Sequence, residues 1–185
     1  MGEIEDAIER ADRESFTRQP PKTLKGQIGY LIRQLGSAKA VAREIGVTAD
    51  SVNRYRRGAR KHARADVAAK IDDAVRARWQ PLVRKRRRRK AATTGGITVE
   101  TRARFGYTAP VGTTDDGRFR RLTVHLPPAY AQRLFDARDT GTGDQQMRGI
   151  IAEGFKEIYF QDGGGRATEL AGVTLNDIDY LDLDY

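Results

Sequence analysis

Apolar residues recur along this chain at two different periods, and the change from one to the other divides it. Up to residue 80 the spacing is helical. Residues 3–16 carry Ile4, Ile8 and Ala11 on one side, and Pro20-Pro21 ends that segment. From Thr23 to Leu35, the residues Leu24, Ile28, Leu31, Ile32 and Leu35 form a stripe that predicts an amphipathic helix stopped by Gly36. Val67, Ile71, Val75 and Trp79 mark one face of a helix over 66–79. After residue 96 the period shortens to two. Ile97, Val99, Thr101, Ala103 and Phe105 alternate with Thr98, Glu100, Arg102 and Arg104, as in a half-buried strand. Leu122, Val124 and Leu126 predict a second strand ending at Pro127-Pro128, and helices follow near 129–137 and 144–160. The tail alternates again but changes phase, with Ile178 and Tyr180 on one and Leu181, Leu183 and Tyr185 on the other. The expected fold class is α+β: an N-terminal all-α domain over 1–80, a basic arm and linker over 81–96, and a small α+β domain over 97–185.

Within the first domain, Ser37 to Arg57 has the pattern of a helix-turn-helix. Gly46 supplies the residue without a side chain that the tight turn needs, and Ala42 is small enough for the helix crossing. Val41, Ile45, Val47, Val52 and Tyr55 fall at spacings that put them between the two helices. Thr48 can cap the second helix through the amide of Asp50 or Ser51. That helix then faces outward with Thr48, Ala49, Asp50, Asn53, Arg54 and Arg57, the residues expected to meet base edges in a major groove. The basic connector Arg60-Lys61 follows.

Charge sharpens this picture. The net charge is +9, and residues 1–90 carry 24 Lys/Arg against 11 Asp/Glu while 91–185 carry 10 against 14. A basic front and an acidic rear suit a chain that holds a polyanion with one part only. Arg84-Lys85-Arg86-Arg87-Arg88-Arg89-Lys90 is a block of seven cations. It is expected to be either a solvated, disordered run or, beside a helix-turn-helix, an arm that grips phosphates without sequence choice. With no cysteine there is no disulfide or thiolate metal site, and His62 and His125 stand alone, so no metal site is expected. No apolar run approaches a membrane span. The expectation is a soluble, cytoplasmic protein.

Between the two strands lies the loop 106–117, long for a hairpin connection. At its tip Thr113 and Thr114 precede Asp115 and Asp116. A hydroxyl beside carboxylates can become a nucleophile when a base or a metal activates it. Thr-Asp-Asp-Gly is equally ordinary turn chemistry, and spacing alone favours the turn. Arg118, Arg120 and Arg121 just beyond can steady phosphates or form the solvated face of a strand.

The order of parts, together with several longer stretches, resembles the telomere-protecting terminal protein family of bacterial linear chromosomes and plasmids. The resemblance runs from about Ser15 to the C-terminus. It is carried by Arg78-Trp79-Gln80-Pro81, by Lys90-Ala91-Ala92-Thr93-Thr94-Gly95-Gly96-Ile97, by Thr101 to Pro110 running into Gly112-Thr113-Thr114-Asp115-Asp116, and by Tyr159-Phe160-Gln161-Asp162-Gly163. It implies binding of telomeric DNA and covalent linkage of a threonine hydroxyl to a 5′ end, with DNA synthesis primed from it. Thr114 is the position to which that hydroxyl is carried, with Thr113 adjacent, and Asp115 and Asp116 either assist or shape the turn. Mg²⁺ and a deoxynucleotide would take part during priming, with no cofactor bound stably. A DNA polymerase and a companion telomere-binding protein are the implied partners, and the nucleoid at replicon ends is the implied location. The protein would be a primer more than an enzyme. A helix-turn-helix transcription or replication regulator without covalent linkage is the alternative. A nuclease or relaxase using a tyrosine such as Tyr107 is a third, with no base or metal ligands evident beside it.

Overall fold

Alternation that ends at a glycine or proline and stripes that end at a cap translate directly into elements. The computed structural model describes residues 2–108 and 118–185. In chain order these are α1 (Glu3–Glu14), α2 (Leu24–Leu35), α3 (Ala38–Ile45), α4 (Ala49–Arg57), α5 (Ala65–Arg78), α6 (Pro81–Lys90), β1 (Ile97–Thr108), β2 (Arg118–Leu126), α7 (Pro128–Asp139), α8 (Asp144–Gly154) and β3 (Gly172–Asp184). The fold is α+β. The chain divides into two units: Phe16–Pro81, all helical, and the residues up to Ser15 together with Leu82–Tyr185. The helical unit is therefore an insertion within the chain of the other.

In the helical unit, Ile28, Leu31, Val41, Ile45, Val52, Ile71 and Val75 are fully buried. Three short helices begin on a hydroxyl cap: Thr23 accepts from the Gly26 amide, Ser37 from Ala40 and Thr48 from Ser51. Each cap contributes about 1 kcal/mol. The two ends of the insertion are tied to each other. The Thr17 amide donates to Gln80 Oε1 at 3.0 Å, and Gln80 Nε2 donates to Thr17 Oγ1 at 2.9 Å. Trp79 Nε1 donates to the Arg18 carbonyl at 2.8 Å, and its ring meets Tyr30 edge to face at 4.9 Å. The Arg78-Trp79-Gln80 stretch is thus the closure of an inserted domain.

The second unit is built on an antiparallel sheet of order β2-β1-β3. Across it Val99 lies between Val124 and Leu183, and Thr101 between Leu122 and Leu181. The phase change in the tail has a geometric cause. Arg102 pairs with Tyr180 and Ala103 with Ile178, leaving Asp179 unpaired, and Arg104 then pairs with Asn176, leaving Asp177 unpaired. One bulged residue inverts inward and outward, and a second restores them. Val173, Leu175, Leu181 and Leu183 are consequently all buried although Ile178 between them sits on the other parity. Asp177 takes φ +37°, a region that aspartate tolerates better than most residues. Both bulged carboxylates meet arginines of β1, Asp179 with Arg102 at 2.9 Å and Asp177 with Arg104 at 3.8 Å. The buried Thr101 hydroxyl donates to the Tyr180 carbonyl at 2.7 Å. Gly96, at φ +66°, leads into β1 where a Cβ would lie 2.3 Å from the Leu126 carbonyl oxygen, so no other residue fits there.

Two sequence expectations need correction. First, the opening helix does not belong to an N-terminal domain over 1–80. Ile4, Ala7, Ile8 and Ala11 are buried in the same core as β1, β3, α7 and α8. Second, Arg84–Lys90 is neither a disordered run nor a free arm over 81–96. It forms α6, followed by a wide π-helical turn at Ala91–Gly95. The cause is Asp12, fully buried on α1. Arg88 Nε donates to Asp12 Oδ1 at 3.2 Å and its Nη2 to Oδ2, and Arg84 Nε stands 3.9 Å from Oδ2. The terminal Tyr185 hydroxyl donates to Asp12 Oδ1 at 2.6 Å. Burial pulls the Arg88 pKa down, but its bonds to Asp12 and that carboxylate's charge outweigh burial and leave it raised. For Arg84 burial prevails and lowers it.

Removing one partner of a buried ion pair strands the other, at a cost of about 3–5 kcal/mol. Asp12→Ala is expected to destabilise the sheet-bearing unit by about that much, read from amide exchange in β1. Burial, then Asp12, raises the Tyr185 pKa above its usual 10. A raised folded pKa stabilises below the unfolded value and loses that stability as pH climbs past it. The urea midpoint of this unit should therefore fall above about pH 10, and Tyr185→Phe should be less stable at pH 7 but less sensitive to that rise.

Candidate nucleic-acid interface

The turn of the helix-turn-helix is set by Gly46, at φ +70° and ψ +41° after α3, a conformation that glycine adopts without strain. Ala42 is 5% exposed at the crossing, and Val41, Ile45, Val52 and Tyr55 fill the space between the helices. The packing face of α4 is thus committed to the core, and the opposite face carries the candidate residues. Asp50, Arg54 and Arg57 are exposed and Asn53 half-exposed. Thr48 is exposed, but its hydroxyl already accepts from the Ser51 amide at 3.2 Å and contacts the Ser51 hydroxyl at 3.0 Å. Its role is to set the start of α4. Asp50 holds Arg54 at 2.9 Å across one helical turn. Opening that exposed pair to free Arg54 for an anion costs under about 1 kcal/mol. Arg60 and Lys61 are exposed just beyond the helix.

Regrouped by unit, the charge asymmetry is stronger than the sequence halves suggest. The helical unit holds fifteen Lys/Arg against five Asp/Glu, and the other holds nineteen against twenty. The seven-cation block belongs to the second unit, and its residues part company there. Arg84 and Arg88, one turn apart, face inward to Asp12. Lys85, Arg86, Arg87, Arg89 and Lys90 are exposed. The phosphate-contact group proposed from sequence thus loses two members to the core and keeps five.

Thr113, Thr114, Asp115 and Asp116 lie outside the described residues. The strands that carry their loop are described, and two distant stretches meet there. Tyr107, near the end of β1, contacts the Phe160 ring edge to face at 5.2 Å, and Phe105 contacts it at 5.8 Å. Phe160 ends a π-helical segment, Phe155–Phe160, that continues α8. Tyr159 and Phe160 meet at 4.9 Å, nearly perpendicular. The Ala171 amide donates to the Thr108 carbonyl at 2.8 Å, closing the strand end. Tyr107, Tyr159 and Phe160 border a hollow of about 370 Å³ that Arg120 and Arg166 also line. The sequence reading missed this group as a site. The visible signal was the aromatic pair Tyr159-Phe160 set where a helix gives way to Gln-Asp-Gly.

The arginines after the loop separate by sheet face. Arg120 pairs in register with Ala103, on the core-side phase, whereas Arg121 pairs with Arg102 on the other. Arg121 donates to Glu100 at 2.6 Å, and the Tyr180 hydroxyl donates to the same carboxylate at 3.0 Å. These two bonds hold Glu100 below its usual carboxylate pKa. Among the described residues, no group of three or more His, Cys, Asp or Glu is placed to hold a metal ion. No helix among them is long and apolar enough to cross a membrane.

Comparison with protein-family models, with curated proteins and with solved structures finds no match for this chain.

The exposed and buried cations should separate in binding. Each neutralised phosphate contributes about 0.7–0.9 to the slope of log K against log salt. Arg86→Ala with Arg87→Ala is expected to weaken binding to all DNA alike and flatten that slope, with β1 amide exchange unchanged. Arg88→Ala should instead speed that exchange. Asn53→Ala should reduce discrimination between DNA sequences while leaving the salt slope nearly intact.

Proposed function

We propose that this chain is a terminal protein: it holds telomeric DNA, becomes joined through a threonine hydroxyl to the 5′ end of a linear replicon, and primes DNA synthesis there. The observation that carries this reading is the meeting of Phe105 and Tyr107 with Tyr159-Phe160. Two stretches of the family resemblance, some fifty residues apart in sequence, converge where the chain leaves β1 for the loop bearing Thr114. A regulator whose second unit served only to dimerise would need the helix-turn-helix but not this arrangement.

The chemistry is phosphoryl transfer. The Thr114 oxygen forms a bond to the α-phosphorus of a deoxynucleoside triphosphate, and the bond from that phosphorus to the bridging oxygen breaks. Pyrophosphate leaves with the electron pair, and the hydroxyl proton passes to a carboxylate. Positioning and charge stabilisation supply most of the rate in such reactions. In this reading the polymerase partner provides the Mg²⁺ site and the catalytic groups, and the chain provides the nucleophile and its placement. Asp115 and Asp116, next in sequence, are the chain's own candidates for accepting the proton. The helix-turn-helix and the outer cations of α6 hold the DNA, and a companion telomere-binding protein completes the assembly at replicon ends.

Labelling decides between the two readings. The protein is incubated with radiolabelled deoxynucleotides, Mg²⁺ and extract from a host with linear replicons, then boiled in detergent and resolved. Label on the 20.7 kDa chain that disappears with Thr114→Ala but persists with Thr113→Ala and Thr114→Ser is the expected result. A chain that is never labelled in extract active on a homologous primer would leave the regulator as the function.

A further inference from the structure

The hollow beside the loop's strand ends has features that the priming reaction, as described, does not use. Its volume of about 370 Å³ falls at the small end of ligand sites, which span about 300–1,000 Å³. Tyr107, Tyr159 and Phe160 around it are half-buried, and Tyr107 and Tyr159 each meet Phe160 edge to face, with Leu170 also lining the hollow. A flat ring entering this corner would meet aromatic surface, the contact on which nucleobases stack with little regard to sequence.

The two arginines differ in what they are free to do. Arg166 is committed to the wall. Its Nη2 donates to the Tyr159 carbonyl at 2.6 Å, its Nε donates to the Phe160 carbonyl at 3.2 Å, and its guanidinium lies 5.9 Å from the Tyr159 ring centre. Gln161 fastens the same wall, donating to the carbonyls of Ala167 and Leu170 at 3.3 Å each. Arg120 is exposed on the core-side phase of β2 and forms no ion pair with a described carboxylate. A stacking corner held rigid from behind, with a cation at its mouth, matches one ligand chemistry: an aromatic base attached to a phosphate.

We propose that this hollow is a nucleoside-phosphate site, with the base among Tyr107, Tyr159 and Phe160 and the phosphate against Arg120. The proposal rests on the priming reading for its role, which is to seat the first nucleotide near the strand ends that lead in sequence to Thr114. The nucleotide arrives either as a free triphosphate or as the 5′-terminal residue of a strand, and both present the same chemistry.

The test uses the full chain and two readouts. Binding is measured by ligand-observed NMR with each deoxynucleoside triphosphate and, separately, with a 5′-phosphorylated single-stranded tetranucleotide. Arg120→Ala and Tyr159→Ala are each expected to weaken binding roughly tenfold, the scale of a lost stacking or phosphate contact. Tyr159→Phe should bind as wild type. Arg121→Ala is the control, since it is the next residue, has the same charge and faces the other side of the sheet. Preference for the triphosphate or for the tetranucleotide identifies which form is seated. In the labelling reaction, Arg120→Ala should raise the nucleotide concentration needed without lowering the label at saturation, whereas Thr114→Ala abolishes label throughout. Equal losses with Arg120→Ala and Arg121→Ala, or no binding by wild type at millimolar nucleotide, would overturn the site even if labelling succeeds. Arg120-dependent binding without labelling would keep the site and remove the priming role.

Discussion

A carboxylate with no exposure to water has to be neutralised where it stands, and Asp12 imposes that condition on three distant parts of the chain. It sits on the first helix and takes its cations from α6 and a hydroxyl from the last residue. Around it the Arg88 guanidinium lies over the Phe135 ring at 5.6 Å, and Phe135 in turn meets Tyr185 edge to face at 5.1 Å. Seven adjacent cations repel one another and lack the apolar stripe that normally docks a helix. One buried anion gives the run an inside, and the remaining five cations are thereby displayed on a fixed helical face. Pre-arranged charges lose less freedom on meeting a polyanion than a disordered tail would. The ion pair is weak support for net stability, because desolvation offsets much of the attraction. Its value is directional: it determines which cations point outward.

The insertion of the helical unit follows from the same arrangement. Because α1 is held to α6 through Asp12, the two ends of the segment Phe16–Pro81 must lie close together. Thr17 and Gln80 supply that closure with two reciprocal hydrogen bonds, and Trp79 adds a bond to the Arg18 carbonyl. Inserted domains are tolerated where their ends lie close together. Trp79 and Gln80 thus have an architectural part in the fold.

What was legible in the sequence was local. The helix-turn-helix depends on Gly46, Ala42 and Thr48 acting within a few residues of one another, and the alternation from Ile97 to Phe105 is a property of one strand. The illegible parts depended on partners far along the chain. The stripe of Ile4, Ile8 and Ala11 says that a helix is buried but not in which core, and that is decided by distant partners such as Arg88 for Asp12, 76 residues away, Asp144 for the Ile4 amide and Leu181 for Arg10. The phase change near Ile178 was visible, but its cause needed the pairing with β1, which leaves Asp177 and Asp179 as two compensating bulges. In the candidate site, Arg120 and Arg121 looked equivalent as neighbours. The strand phase separates them, one toward the hollow and one toward Glu100.

The distribution of charge between the units bears on the proposed priming role. A protein that grips a polyanion through its whole surface would also bind the acceptor strand at its nucleophile, and nonspecific attraction would compete with placement. Here the helical unit carries the excess of positive charge, while the sheet-bearing unit is close to neutral because its arginines are matched by carboxylates. On the sheet, Arg102, Arg104 and Arg121 are each paired with Asp179, Asp177 and Glu100. Long-range attraction, which falls off over roughly 8–10 Å at physiological salt, is thus stronger around the helical unit and the outward cations of α6 than over the paired arginines of the sheet. Near the strand ends that lead to Thr114, Arg120, which forms no ion pair with a described carboxylate, acts over a contact distance only. In the proposed primer, salt-dependent contacts would come from the helical unit and the outward cations of α6, away from the paired arginines of the sheet, where geometry rather than net charge would set placement.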